Sequence, residues 1–160
     1  MILYYLDASV WVKRYFQEQG TDWIQSLFAQ NPKMACASLG VVEVMATLAR
    51  KRKAGEMEVS VFDQKTQQLE EDWKRFTQIQ FTLGTVESAK KLAKQLAIRG
   101  ADAVHLASVV LLKEQLEEDD ELVFVASDRQ LKEAAQTSGL TVIDPAEQDQ
   151  RARTSRTESQ

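Results

Sequence analysis

Met1–Ser9 reads MILYYLDAS, and the reading of this stretch decides the fold. Ile2–Leu6 is apolar and aromatic without a polar break, too short for a helix and rich in strand formers. A strand with no polar alternation is buried on both faces, as a central strand of a parallel sheet is. The run ends on Asp7, and Ser9 can cap a helix that begins Val10-Trp11-Val12. A carboxylate at the C-terminal end of such a strand stands where open α/β sheets place their ligands.

Outward from this strand, helical and extended patterns alternate. Val10, Trp11, Tyr15 and Phe16 mark a helix face that runs out at Gly20. Thr21 caps a short helix with Trp23, Ile24, Leu27 and Phe28 inward, stopped by Asn31-Pro32. Met34–Ser38 reads as a strand, and Leu39–Ala54 as a helix with Val42, Met45, Leu48 and Ala49 on one stripe and Gly55 at its end. Val59–Ile79 reads as one long helix with Phe62, Leu69, Trp73 and Phe76 as its seam, followed by a strand over Phe81–Leu83. Thr85 is the expected cap of the next helix, and Ala101–Leu116 forms another. Leu122–Ala126 is a buried strand, Asp128–Ser138 a helix closed by Gly139, and Leu140–Ile143 a last strand. The pattern predicts an α/β fold of three layers, a mainly parallel sheet of about five strands between helices, in one domain over 1–145. Residues 146–160 carry no apolar side chain larger than alanine and are expected to be a polar, flexible tail.

The chain has 160 residues, 44% hydrophobic and 28% charged, with a net charge of -4 that excludes a broad cationic surface. Nucleic-acid binding would therefore need a local patch. The single Cys36 sits among Met34, Ala35 and Ala37, a core thiol with no cation to stabilise a thiolate. No apolar run reaches a membrane span and no secretory leader is visible, so no membrane is expected and the location is expected to be cytoplasmic.

Four acids stand out by position. Asp7 ends the first strand, Glu43 lies near the start of the helix after the second, Asp102 opens a helix behind Gly100, and Asp128 follows the fourth strand. In a parallel sheet these places share one edge. Carboxylates sharing a cleft repel one another unless a cation neutralises them. Oxygen ligands favour a hard ion, Mg²⁺ or Mn²⁺, while one Cys and one His without ligand spacing argue against zinc. Asp102 and Asp128 could each be plain helix caps. Asp7 and Glu43 sit within apolar segments, where an unpaired charge is expensive.

YLDAS at Tyr5–Ser9, VVEVMATLAR at Val41–Arg50, RGADAVHLAS at Arg99–Ser108 and FVASDRQL at Phe124–Leu131 together resemble the PIN-domain ribonucleases, and among them the VapC-type toxins of toxin–antitoxin pairs. The match keeps the family's order and spacing from about Met1 to Asp144. The resemblance implies a PIN-like fold and a metal-dependent endoribonuclease with Asp7, Glu43, Asp102 and Asp128 as its acidic quartet. Ser9 would orient the metal shell. Asp7 and Asp102 would be metal ligands, and Glu43 and Asp128 would hold metal-bound waters or a second ion. Water attack would leave a 5′-phosphate and a 3′-hydroxyl. The family often has Thr two residues before the last acid; here that place is Ala126, and Ser127 is the candidate replacement. The implied partners are RNA, a cognate antitoxin and a second copy of the chain. An alternative is a degenerate PIN domain that binds RNA or protein without cutting. A phosphoaspartyl phosphatase would want a second Asp at position 9, where Ser stands.

The remaining features have plainer readings. His105, three residues after Asp102, shares its helix face and is expected to donate a hydrogen bond beneath the acids. Arg50-Lys51-Arg52-Lys53, supplemented by Lys13 and Arg14, is either a solvated helix end or a phosphate-tracking patch. The run Glu117–Glu121 reads as a solvated loop, since consecutive side chains diverge. Trp11, Trp23 and Trp73 fall on apolar stripes and are expected to pack. A groove among Trp11, Tyr15, Trp23 and Phe62 is a candidate antitoxin seat, and the seam of Val59–Ile79 a candidate dimer surface.

Overall fold

In the computed structural model, which describes residues 1–160, five parallel strands form one sheet in the order β3-β2-β1-β4-β5. They are β1 (Ile2–Leu6), β2 (Lys33–Ala37), β3 (Thr77–Ile79), β4 (Glu121–Val125) and β5 (Thr141–Ile143). β1 lies at the centre, with Tyr4 opposite Met34 on one side and Val123 on the other. Leu3, Tyr5 and Leu6 are buried, as a doubly covered strand requires. The helices are α1 (Ala8–Trp11), which runs into a 3-10 turn at Val12–Arg14, α2 (Thr21–Ala29), α3 (Ser38–Lys53), α4 (Val59–Arg75), α5 (Leu83–Leu96), α6 (Gly100–Lys113), α7 (Arg129–Thr137) and α8 (Pro145–Glu158). No single helix is long and apolar enough to cross a membrane.

Four local expectations are corrected. The third strand is Thr77–Ile79, not Phe81–Leu83, and α4 stops at Arg75. Phe76 takes an extended backbone with φ -78° and ψ 148° yet stays buried, so the helical seam runs into the strand without a visible break. Phe81 and Leu83 are exposed. α5 is capped by Thr82, whose hydroxyl accepts from the Thr85 N–H at N3 while Thr85 reciprocates. The buried stripe of α3 is Gly40, Val44 and Leu48, and Val42 is exposed.

The segment expected to be a flexible tail is α8. Asp144 caps it by accepting from the Ala146 N–H at 2.9 Å, and Pro145 occupies its first turn. Buried Asp149 accepts from the Trp23 N–H at 2.9 Å, supplying the acceptor that α2 lacks behind its Gly20 cap. Gly20, at φ +99°, lies where a Cβ would meet Pro145 Cβ at 3.0 Å. Residues 151–160 are exposed.

Each of the two candidate docking faces gives part of its aromatic surface to the core. Trp11 and Tyr15 are fully buried, and Trp11 stacks on Phe76 at 4.5 Å. Trp73 lies 5.8 Å from Trp11 and Arg52 covers the Phe62 ring at 4.6 Å, leaving both aromatics half-buried, while Val59 and Val61 at the start of α4 are exposed.

Candidate active site

β1 delivers Asp7 to the carboxyl edge of the sheet, where its N–H donates to Val125 O at 3.0 Å. It caps α1, with Oδ2 accepting from the Ser9 N–H at 3.4 Å and from the Ser9 hydroxyl. Asp7 is buried. α3, following β2, brings in Glu43, and α6 contributes Asp102 from its first turn. Asp128 follows β4 at the entry to α7. These four carboxylates, with Ser9, Arg99 and Ala101, line one cavity of about 240 Å³. Residues spread over more than a hundred positions meet because every strand is parallel and ends on the same side, where α6, leading back to β4, also begins.

Beneath the cavity lies His105, buried on α6. Its Nε2 is 2.6 Å from Glu43 Oε1 and 3.8 Å from Asp7 Oδ1. A carboxylate only accepts, so Nε2 carries the proton and donates to Glu43. Nδ1 lies 2.8 Å from the Tyr5 hydroxyl, which accepts from the Ala37 N–H at 3.0 Å. Burial alone would lower the His105 pKa, but Tyr5, the Cys36 thiol and Glu43 outweigh it and carry it well above its ordinary value. β1, β2, α3 and α6 are thus tied into one scaffold under the acids.

Arg99, the N-cap of α6, is the cation that lines the cavity. Its Nε donates to Asp102 Oδ2 at 3.1 Å, and its Nη2 lies 3.8 Å from Asp128 Oδ1, while 74% of the side chain remains exposed. Burial raises the Asp102 pKa, and the charges of Asp7 and Asp128 add to the rise against the pull of Arg99. Asp128 Oδ2 is buried with no hydrogen-bond partner. No three acidic side chains converge closely enough to share an ion in their present rotamers. The donor chemistry nevertheless fits a hard divalent cation: oxygen ligands, an orphaned buried carboxylate oxygen and mutually repelling charges.

Several sequence candidates stand elsewhere. Ser127 turns away, its hydroxyl donating to Asp144 Oδ1 at 2.7 Å, because Asp144 is the hub that caps α8 and pairs with Lys132. Ser9 is the one hydroxyl lining the acid cavity. Arg14 forms a near-buried ion pair with Asp72 at 2.6 Å and lies over the Phe28 ring. Lys13 donates to Glu18 at 3.1 Å and to Gln19 O at 2.7 Å. Lys51 pairs with Glu56 and covers Phe16, Arg52 covers Phe62, and Lys53 is exposed at the helix end. Of the basic residues singled out, Arg50 alone lines a cavity beside the acids. Sequence reasoning missed Arg99, whose signal was an arginine three positions before an acid that opens a helix.

The chain matches the PIN domain family model over residues 4–137. It is 32% identical over 149 residues to ribonuclease VapC45 of Mycobacterium tuberculosis (strain CDC 1551 / Oshkosh), covering 93% of this chain and 99% of that protein. Ribonuclease VapC49 of strain ATCC 25618 / H37Rv matches with the same identity and coverage. Among solved structures, VapBC2 from Rickettsia felis, bound to a promoter DNA fragment, superposes with a TM-score of 0.61 at 15% identity, over 89% of this chain and 98% of that one. DNA-bound VapBC from Salmonella typhimurium gives 0.61 at 12% identity, over 91% and 99%. The structures share the fold, the mycobacterial proteins share the sequence, and this chain belongs to the PIN-domain family and, within it, to the VapC ribonucleases.

Proposed function

We propose that this protein is the toxin of a toxin–antitoxin pair, an endoribonuclease that hydrolyses RNA phosphodiester bonds with Mg²⁺ or Mn²⁺. The observation that carries this reading is the single cavity lined by Asp7, Glu43, Asp102 and Asp128. The ribonuclease relatives support RNA as substrate, and the VapBC structures support an antitoxin as partner. Two copies pair, and the enzyme acts in the cytoplasm.

Asp7 and Asp102 are the residues that would hold the ion, which when bound makes a water more acidic and offsets charge on the phosphoryl oxygens. The chain's own groups do the rest. Ser9 fixes Asp7 Oδ2. His105 holds Glu43 by Oε1, leaving the second oxygen of this carboxylate, 65% of whose side-chain surface is covered, to accept a proton from the attacking water. Asp128 Oδ2 is a free acceptor for a further water. Arg99 offers the phosphate a guanidinium at the cavity wall. Cleavage leaves a 5′-phosphate and a 3′-hydroxyl.

The test is inducible expression with transcriptome-wide mapping of new 5′-phosphate ends, wild type against Asp7→Asn. The variant should keep its circular dichroism and lose the ends. Undiminished cleavage by Asp7→Asn would overturn the reading.

A further inference from the structure

A second cavity, of about 320 Å³, adjoins the acid cavity and shares Ser9 and Glu43 with it. Ala8 at the start of α1 and Val42, Ala46, Thr47 and Arg50 of α3 complete its wall. Ala8 belongs to the core, but core packing does not require Val42 or Arg50 there. Val42 is 62% exposed, out of phase with the buried stripe of its helix. Arg50 donates through Nη2 to Thr47 Oγ1 at 3.0 Å, a neutral partner, whereas the next two basic residues fold back on aromatic rings.

Glu43, Thr47 and Arg50 lie on one face of α3 at spacings of four and three. Seven residues at 1.5 Å each put Arg50 about 10 Å along the helix from Glu43. The cleft therefore changes character along its length, from carboxylates through small apolar side chains to a hydroxyl and a guanidinium. A polyanion whose reacting phosphate sits among acids needs a cation further along to hold it, and Arg50 supplies one without breaking an internal ion pair. The apolar middle is concave and lined by small side chains, which suits a base turned out of its stack and not the edge of a duplex.

We propose that this cavity is the subsite for the nucleotide next to the scissile phosphate of a single-stranded RNA. The base rests on Ala8, Val42 and Ala46, and Arg50 pairs with the adjoining phosphate. This rests on the ribonuclease reading above.

The experiment uses full-length Asp7→Asn protein, so that RNA stays intact, and a labelled single-stranded RNA of random sequence read by fluorescence anisotropy across a salt series. Arg50→Gln should weaken binding about tenfold or more, as loss of a charged hydrogen bond does, and reduce the slope of log affinity against log salt by about 0.7. Ala46→Phe, which fills the cavity, should weaken binding tenfold or more with the slope unchanged, and Ala46→Leu should do so to a smaller extent. Lys74→Gln removes the same charge from the last turn of α4, which leads into the opposite edge of the sheet, and should change neither quantity beyond twofold. Equal losses from Arg50→Gln and Lys74→Gln would overturn the subsite, as would unchanged binding by folded Ala46→Phe and Ala46→Leu. If the wild type cuts RNA while the variants bind normally, the subsite alone fails. If the wild type neither binds nor cuts RNA, the ribonuclease reading fails and takes the subsite with it.

Discussion

Gly40 is where packing of the core and geometry of the acids are one problem. A Cβ built there would lie 2.2 Å from Cys36 Sγ and 3.3 Å from His105 Cε1. Ordinary carbon contacts sit at about 3.5–4.0 Å, so in Gly40→Ala the sulfur of a fully buried residue must retreat by more than an ångström. Overpacking of this kind costs about 1–3 kcal/mol. Replacing glycine by alanine in a helix returns at most about 1 kcal/mol. Gly40→Ala should therefore destabilise by about 1–2 kcal/mol. Cys36→Ala removes the closest obstruction, leaving His105 Cε1 as a contact only a few tenths of an ångström too tight. In that background Gly40→Ala should cost little or stabilise slightly, which makes the coupling between the two sites about 1–2 kcal/mol. Urea unfolding of the four proteins in the cycle measures it. Because the same methyl presses on the histidine that holds Glu43, RNA cleavage should fall in Gly40→Ala and recover in part in the double variant. Additivity of the two substitutions to within about 0.5 kcal/mol would refute the reasoning.

Arg14→Met should destabilise the fold by about 3 kcal/mol, since it removes the counter-ion of the buried Asp72 carboxylate and leaves it only the Tyr15 hydroxyl as donor; its RNA affinity, measured by anisotropy on the folded protein, should not change, and a loss of affinity at unchanged stability would return Arg14 to the phosphate-binding surface. Arg99→Gln removes the tethered cation beside Asp102 and Asp128 and should tighten Mn²⁺ binding severalfold by calorimetry, the modest size reflecting the exposure of the guanidinium; weaker binding would count against competition between the two cations. At Asp144, burial raises the pKa but Lys132, Ser127 and the Ala146 N–H outweigh it and hold it below the usual carboxylate range. Its stabilisation is therefore present above the unfolded value of about 3.9 and lost as pH falls through the folded one, so the urea midpoints of wild type and Lys132→Gln should differ at neutral pH and draw together as pH falls below about 3.9; a gap that stays constant on acidification, down to the lowest pH at which both proteins fold, would contradict this.

What was legible in the sequence was what the backbone alone decides. A two-sided apolar run at Ile2–Leu6 has few places to go, and a parallel sheet then assigns the ends of all its strands to one side. That constraint brings Asp7, Glu43 and Asp128 to one edge, and α6, which follows α5 and runs back to the start of β4, opens at the same edge with Asp102. The errors of phase arose where several helical registers were equally apolar. Val41, Val42 and Val44 permit more than one stripe, and the choice was made by Gly40, the one residue of α3 small enough to sit against Cys36 and His105. At Phe76 the seam of α4 continues into a buried residue that is already extended, so periodicity could not show the end of the helix. α8 had no apolar signal, but Asp144-Pro145 with Glu147 behind it is a helix start that capping chemistry could have revealed.

Charged side chains were the harder problem, because a long side chain chooses its partner in three dimensions. Arg14, Lys51, Arg52 and Arg50 look alike in the chain, yet the first is an internal counter-ion for Asp72, the next two cover aromatic rings, and Arg50 alone borders a cavity beside the acids. Ser127 likewise stands next to an acid of the quartet but donates to Asp144, seventeen residues on, whose lone pairs have to be satisfied if α8 is to pack. The cost of leaving a buried carboxylate without donors, more than proximity in sequence, decides these pairings. By the same rule the unpartnered Asp128 Oδ2 is the one buried side-chain oxygen that the chain itself leaves unsatisfied, and it stands at the wall of the acid cavity.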